Sequence, residues 1–175
     1  NLGASKSSIK VVYYEIIDKT MRVFSLMTTT NSSVEALFSK GRSHSKWLSK
    51  PVTEQQLHAL YELAKWCPTS MNCQPMRVRF VVSEEAKKSL LPCLYEGNRS
   101  KSENASVIAI VGSDLAFPAT LTKLFSHKLD AQSYYEGKPD LINATALRNS
   151  SLQAAFLIMA ARSMGLDCGP MSGFD

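Results

Sequence analysis

The stretch LINATALRNSSLQAAFLIMAARSMG, residues 141–165, carries its apolar residues at helical rather than alternating spacing. Leu147, Ala154, Ile158 and Ala161 share one stripe of a 3.6-residue repeat, and Leu152, Phe156 and Met159 widen it. The spacing predicts a helix over about 141–164. Apolar on more than one side, it belongs in the middle of a fold or at an interface between subunits. Gly165 supplies a left-handed closing residue, with Leu166 as the apolar contact behind the cap.

Upstream, Thr53 followed by Gln56 makes a capping box, and Leu57, Leu60, Tyr61 and Ala64 fall on one face of a helix over 54–66. RVRFVVS (77–83) alternates as a half-buried strand does, and Ser83 is placed to cap a helix starting at Glu84. SVIAIVG (106–112) is a nearly continuous β-branched run, the composition of an interior strand covered on both faces. GNRSKSENAS (97–106) reads in isolation as a polar loop. Helices, a strand, a helix, a strand and a long helix in that order predict an α+β domain, with helices packed on a small sheet.

The chain's 175 residues, 45% apolar and 20% charged, suffice for one domain with a real core. No apolar run reaches the roughly eighteen residues a membrane span needs. A net charge of +5 without basic-aromatic interleaving argues against nucleic acid. The four cysteines, at 67, 73, 93 and 168, match neither a CxxC pair nor a zinc-ligand spacing, so reduced thiols in a cytoplasmic protein are expected, with no metal. Residues 1–26 show no sustained periodicity and read as an extension, with the domain occupying 27–175 from Met27 onward.

Several chemistries fail on their own terms. There is no G-x-S-x-G elbow, and the glycines around Ser172 are wrongly spaced for one. Neither G-x-G-x-x-G nor a P-loop is present, so a phosphate would have to be held by side chains. KGRSHSKWLSK (40–50) offers four Lys and Arg side chains without a carboxylate. Within it Arg42, His44 and Lys46 alternate along one side of an extended segment, suited to an anion or equally to a basic turn before Trp47. CPTSMNCQPMRVRF (67–80) presents prolines, hydroxyls and amides in front of a strand, and neither Cys67 nor Cys73 has a histidine partner placed by the sequence.

Taken together, RSHSKW (42–47), CPTSMNCQPMRVRFV (67–81), GNRSKSENASVIAIV (97–111) and RNSSLQAAFLIMAARSMGLDCGPMSGFD (148–175) resemble the FMN-dependent nitroreductase family in order and spacing. The last block is similar to the malonic semialdehyde reductase branch of bacterial pyrimidine breakdown. The resemblance implies helices around a small, mostly antiparallel sheet, and a homodimer with the long helix and two FMN molecules at its interface. It matches Arg42, Ser43, His44 and Lys46 to a segment holding the phosphate-ribityl end and pyrimidine edge. Pro68, Thr69, Ser70 and Asn72 match a loop that reaches the flavin of the other subunit. Asn98 and Lys101 match an Asn-x-x-Lys pair at the polar edge of the ring, and Pro170, Met171, Ser172 and Gly173 a turn with a backbone N–H at N5.

The resemblance further implies a ping-pong cycle in which NAD(P)H reduces the flavin and leaves before a small aldehyde, nitro or quinone acceptor binds. It also implies a C-terminal segment following the part seen in this chain. A truncated, non-catalytic flavin fold is the rival reading. The chemistry suits the residues: a ring that accepts hydride gains negative charge, which a lysine such as Lys101 or Lys46 stabilises, while an amide such as Asn98 both donates and accepts along a pyrimidine edge.

Overall fold

The computed structural model describes residues 32–175. The extension expected over 1–26 and the start expected at Met27 lie outside the described residues. A short first helix, α1 (Ser32–Leu37), is followed by α2 (Glu54–Ala64). Thr53 caps α2 as its sequence predicts: its hydroxyl accepts the Gln56 N–H at 3.2 Å, and the Gln56 side-chain oxygen takes the Thr53 N–H at 2.9 Å. The buried stripe of α2 is narrower than its sequence suggests. Leu60 and Ala64 are buried, whereas Tyr61 faces solvent.

Strands β1 (Met76–Val81) and β2 (Ile108–Ser113) form an antiparallel pair, with Met76 opposite Ser113 and Val81 opposite Ile108. Val78 and Phe80 of β1 pack inward against the helices while Arg77 and Arg79 point out, the alternation its sequence predicts. β2 is not the covered interior strand that its sequence suggests. Among the described residues its one strand neighbour is β1, and Ile110 and Val111 are 40% and 37% exposed. β-branched residues report a fit to pleated backbone, and that fit is the same at an uncovered position.

Between the strands lie α3 (Glu84–Leu90), capped by the Ser83 hydroxyl on the Ala86 N–H at 3.2 Å, and α4 (Glu96–Glu103). The α4 segment is helical where its sequence in isolation reads as a loop. After α5 (Leu121–Leu124) comes α6 (Pro139–Ser163), which contributes to both hydrophobic clusters found among the described residues. At its first half Ala146 joins Cys73, Phe117, Leu121, Ala131 and Tyr135; further on, Leu157, Ala160 and Ala161 pack against Leu60 and Ala64.

The long helix lies where expected but is rotated about its axis. Thr145, Asn149, Ser150 and Gln153 face inward, and Leu152 and Phe156 are 48% and 41% exposed. Its buried side therefore follows hydrogen-bonding demand from the 67–76 segment as well as apolar periodicity, a demand invisible to a hydrophobicity count. Gly165 has the left-handed φ of 72°, and the Leu166 N–H reaches the Ala161 carbonyl at 2.9 Å. Leu166 then packs on the second cluster, completing the predicted cap. Among the described residues, no helix is long and apolar enough to cross a membrane.

Candidate functional site

Helix α4 sets Asn98 and Lys101 three residues apart, hence on one face. Asn98 Nδ2 donates to the Gly173 carbonyl at 3.1 Å, and the Tyr95 N–H reaches the same oxygen at 2.9 Å. The Asp175 N–H continues the pairing onto the Cys93 carbonyl at 2.7 Å. A side chain at Gly173 would meet Asn98 Nδ2 at 2.7 Å, so this glycine is what allows the turn to close on α4. Ser102, buried beneath, holds its hydroxyl 4.0 Å from the Met171 sulfur.

The opposite wall is the 41–47 segment. Ser43 bridges to Cys168, and the His44 N–H donates to the Cys168 carbonyl at 3.3 Å. The Trp47 indole N–H donates to the Lys101 carbonyl at 2.7 Å. A Cβ on Gly169 would lie 2.6 Å from the His44 carbonyl oxygen and 3.1 Å from the Trp47 ring. These contacts enclose a cavity of about 110 Å³ lined by 43–45, Trp47, Lys101 and 169–171. Three of the four blocks singled out in the sequence thus converge.

The electrostatics of this cavity are unbalanced. Lys101 is half-buried, and its ammonium has no hydrogen bond or ion pair among the described residues. Lys46 is exposed and likewise free among them. Arg42 folds back on its own backbone, donating to the Ser39 and Gly41 carbonyls at 2.8 and 3.0 Å. His44 Nε2 lies 3.6 Å from an Asp167 carboxylate oxygen. The chain bends at 45–46, so Arg42, His44 and Lys46 do not share one side of an extended segment, and of the three only His44 lines the cavity.

Among the described residues, the N–H groups of Gly169, Met171, Ser172 and Gly173 have no hydrogen-bond partner. A free cation beside unpaired backbone donors fits a ring whose edge is electron-rich and accepts hydrogen bonds, as a flavin's is. The volume fits only part of such a ligand, because cofactor pockets run to roughly 300–1,000 Å³.

Pro68, Thr69, Ser70 and Asn72 do not line this cavity. Thr69 spends its hydroxyl within the loop, accepting the Gln74 N–H at 3.2 Å. Asn72 donates to the Leu124 carbonyl at 2.9 Å and accepts from Gln74 Nε2 at 2.9 Å. Pro68 and Ser70 remain exposed. Cys67 and Cys73 are buried free thiols whose pKa burial pushes up, and among the described residues no His, Cys, Asp or Glu group is placed to hold a metal.

Sequence reasoning passed over Gly169, the structural part played by Trp47, and the amides of Gln74, Asn149 and Gln153. The GP pair at 169–170 signals a turn, but what Gly169 must avoid, the His44 carbonyl, is far away in the chain.

Residues 40–175 match the Nitroreductase family. A candidate NADH dehydrogenase/NAD(P)H nitroreductase of Polynucleobacter asymbioticus is 52% identical over 143 residues, covering 82% of this chain and 72% of that protein. A protein of the same description from Stutzerimonas stutzeri is 52% identical over 145 residues, covering 83% and 74%. The chain belongs to the nitroreductase family. In three dimensions it is similar to a candidate nitroreductase from Bacillus subtilis, with a TM-score of 0.74, 25% identity, and 82% and 77% of the two chains covered. The same fold is seen in a candidate nitroreductase from Exiguobacterium sibiricum solved in complex with FMN, with a TM-score of 0.74, 24% identity, and 81% and 75% covered.

Proposed function

We propose that this chain is an FMN-dependent NAD(P)H oxidoreductase that works as a homodimer and reduces malonic semialdehyde to 3-hydroxypropanoate. The observation that carries the flavin assignment is that Lys101, half-buried and with its ammonium unpaired among the described residues, lines a cavity whose other side is the 169–171 turn. FMN, when bound, supplies the carrier that passes two electrons from NAD(P)H to the acceptor. Lys101 places positive charge where the reduced ring is anionic. Asn98 fixes the Gly173 carbonyl and so sets the direction of the N–H groups of the turn, keeping its own side-chain oxygen available as an acceptor. Ser43 and His44 line the cavity, and with the Arg42 and Lys46 cations next to them in the chain they form the segment assigned to the phosphate end.

The names of the relatives, which include NAD(P)H, and the FMN in the Exiguobacterium structure support this reading. A homodimer accords with a cavity too small for a whole FMN, with the exposed Leu152 and Phe156 on α6, and with Pro68 and Ser70 left free to face another subunit. In this reading 27–175 is the flavin-binding domain of a cytoplasmic enzyme. The aldehyde assignment rests on the likeness of 148–175 to that branch and on the surplus of cations at the site, which suits a carboxylate-bearing acceptor. The relatives' names favour a nitroaromatic acceptor instead.

Adding FMN to the purified protein should give a yellow complex that NADPH bleaches, eluting at the mass of a dimer. A colourless protein that fails to retain added FMN refutes the assignment. NADPH oxidation with malonic semialdehyde should then exceed that with a nitroaromatic; equal rates remove the aldehyde as preferred acceptor.

A further inference from the structure

We infer that Gln153 is a positioning residue that sets the conformation of the 68–74 loop through a one-way relay of side-chain amides. The relay begins at a backbone donor: the Met76 N–H donates to Gln153 Oε1 at 2.9 Å. Gln153 Nε2 donates to Gln74 Oε1 at 2.6 Å, and Gln74 Nε2 donates to Asn72 Oδ1 at 2.9 Å. Asn72 Nδ2 ends it on the Leu124 backbone carbonyl at 2.9 Å. A backbone N–H only donates and a backbone carbonyl only accepts, so the two ends force every amide between them into one orientation. Each bond polarises the next, and the chain acts as a unit.

The loop has something to be held against. Met71, Asn72 and Gln74 have φ of 51°, 48° and 41°, left-handed values, on either side of a right-handed Cys73, that non-glycine residues adopt reluctantly. Gln153 is 5% exposed, and Asn149 one turn earlier is 2% exposed. Asn149 Oδ1 takes the Ser70 N–H at 2.9 Å while its Nδ2 donates to the Thr145 carbonyl at 2.8 Å. Both amides stand on α6, the helix that anchors both hydrophobic clusters. The strained loop is therefore referenced to the helix on which both clusters pack. Its functional consequence rests on the reading that this loop faces FMN: held in advance, Pro68 and Ser70 meet the ligand without an ordering cost.

Two substitutions at 153 separate orientation from bulk. Gln153→Leu removes both bonds. Gln153→Glu keeps the acceptor for the Met76 N–H but sets an oxygen against Gln74 Oε1, and reversing the Gln74 amide would turn Gln74 Oε1 toward the Cys67 carbonyl, to which Gln74 Nε2 now donates at 2.9 Å. Hydrogen exchange of the FMN-free protein should speed up about tenfold across 68–76 in both variants, with 108–113 protected as before. FMN dissociation constants should rise about tenfold, the size of one lost hydrogen bond to an ordered group. Gln74→Leu, which breaks the relay from the loop side and leaves the sequence of α6 intact, should give the same pattern. Parent-like exchange and FMN affinity in Gln153→Glu, or deprotection spread evenly over the whole chain in all three variants, overturns the relay. A parent protein that binds no FMN overturns the functional reading instead, and the exchange comparison then decides the relay alone.

Discussion

Trp47 and Lys101 are joined by a hydrogen bond from the indole N–H to the Lys101 carbonyl oxygen, 2.7 Å long. That carbonyl belongs to the last turn of α4, where helix geometry leaves carbonyls without an intrahelical donor. The indole thus closes the helix and ties the 41–47 segment to the face bearing Asn98 and Lys101. Trp47→Phe keeps a ring in the cavity wall but removes the donor. It should cost about 1 kcal/mol of stability in chemical denaturation. It should also weaken FMN binding severalfold, read by flavin titration.

Gly169 and Gly97 make a matched pair of substitutions. A methyl on Gly169 meets the His44 carbonyl at 2.6 Å and the Trp47 ring at 3.1 Å, whereas one on Gly97 meets nothing within 4 Å. Gly169→Ala must move backbone, and about 1–3 kcal/mol of destabilisation is expected, as for other overpacked sites. Gly97→Ala lies inside α4 and should be neutral or stabilising by up to about 1 kcal/mol. Thermal melts of the two variants beside the parent check the contrast.

What the sequence revealed and what it concealed divide along the range of the interactions. Thr53 with Gln56, Ser83, and Gly165 with Leu166 were legible because a cap is written in residues within one turn of each other. α4 was not legible, because its inward-facing side chains include Asn98, Lys101 and Ser102, so the buried face carries no apolar repeat. The covering of β2 was misread because a β-branched run specifies strand and leaves open what lies against it. At the site, the ordered blocks led to the convergence of 43–47, Lys101 and 169–171. The partners of Asn72 and Gln74 on α5 and α6 belong to the folded chain alone.

Thiol chemistry should be confined to one position. Cys67 and Cys73 are buried and Cys168 half-buried, and desolvation raises the pKa of all three, which depletes the reactive thiolate at neutral pH. Cys93 is exposed. Alkylation of the native protein followed by peptide mass spectrometry should label Cys93 first and the other three only slowly or on unfolding. The same shifts fix a sign. Above the ordinary thiol value of about 9, the unfolded chain gives up thiol protons that the folded chain retains, so stability falls as pH rises through that range. Rapid labelling of Cys73 in the folded protein would contradict its burial.

Lys101→Met isolates the charge. Methionine keeps most of the aliphatic stem, and the Trp47 bond is made to the backbone, so the cavity wall should persist and the thermal midpoint should change little. What disappears is, among the described residues, the half-buried cation of the lining. A cation that favours the reduced, anionic ring acts on the redox equilibrium and on the rate of flavin reduction more than on ground-state affinity. The expected outcome is a flavin reduction rate at saturating NADPH lowered roughly 10- to 100-fold and a lower flavin midpoint potential, with FMN affinity reduced far less. Anaerobic stopped-flow and a redox titration against a reference dye separate these terms. An unchanged potential, with affinity alone reduced, would mean that Lys101 binds the flavin without tuning it.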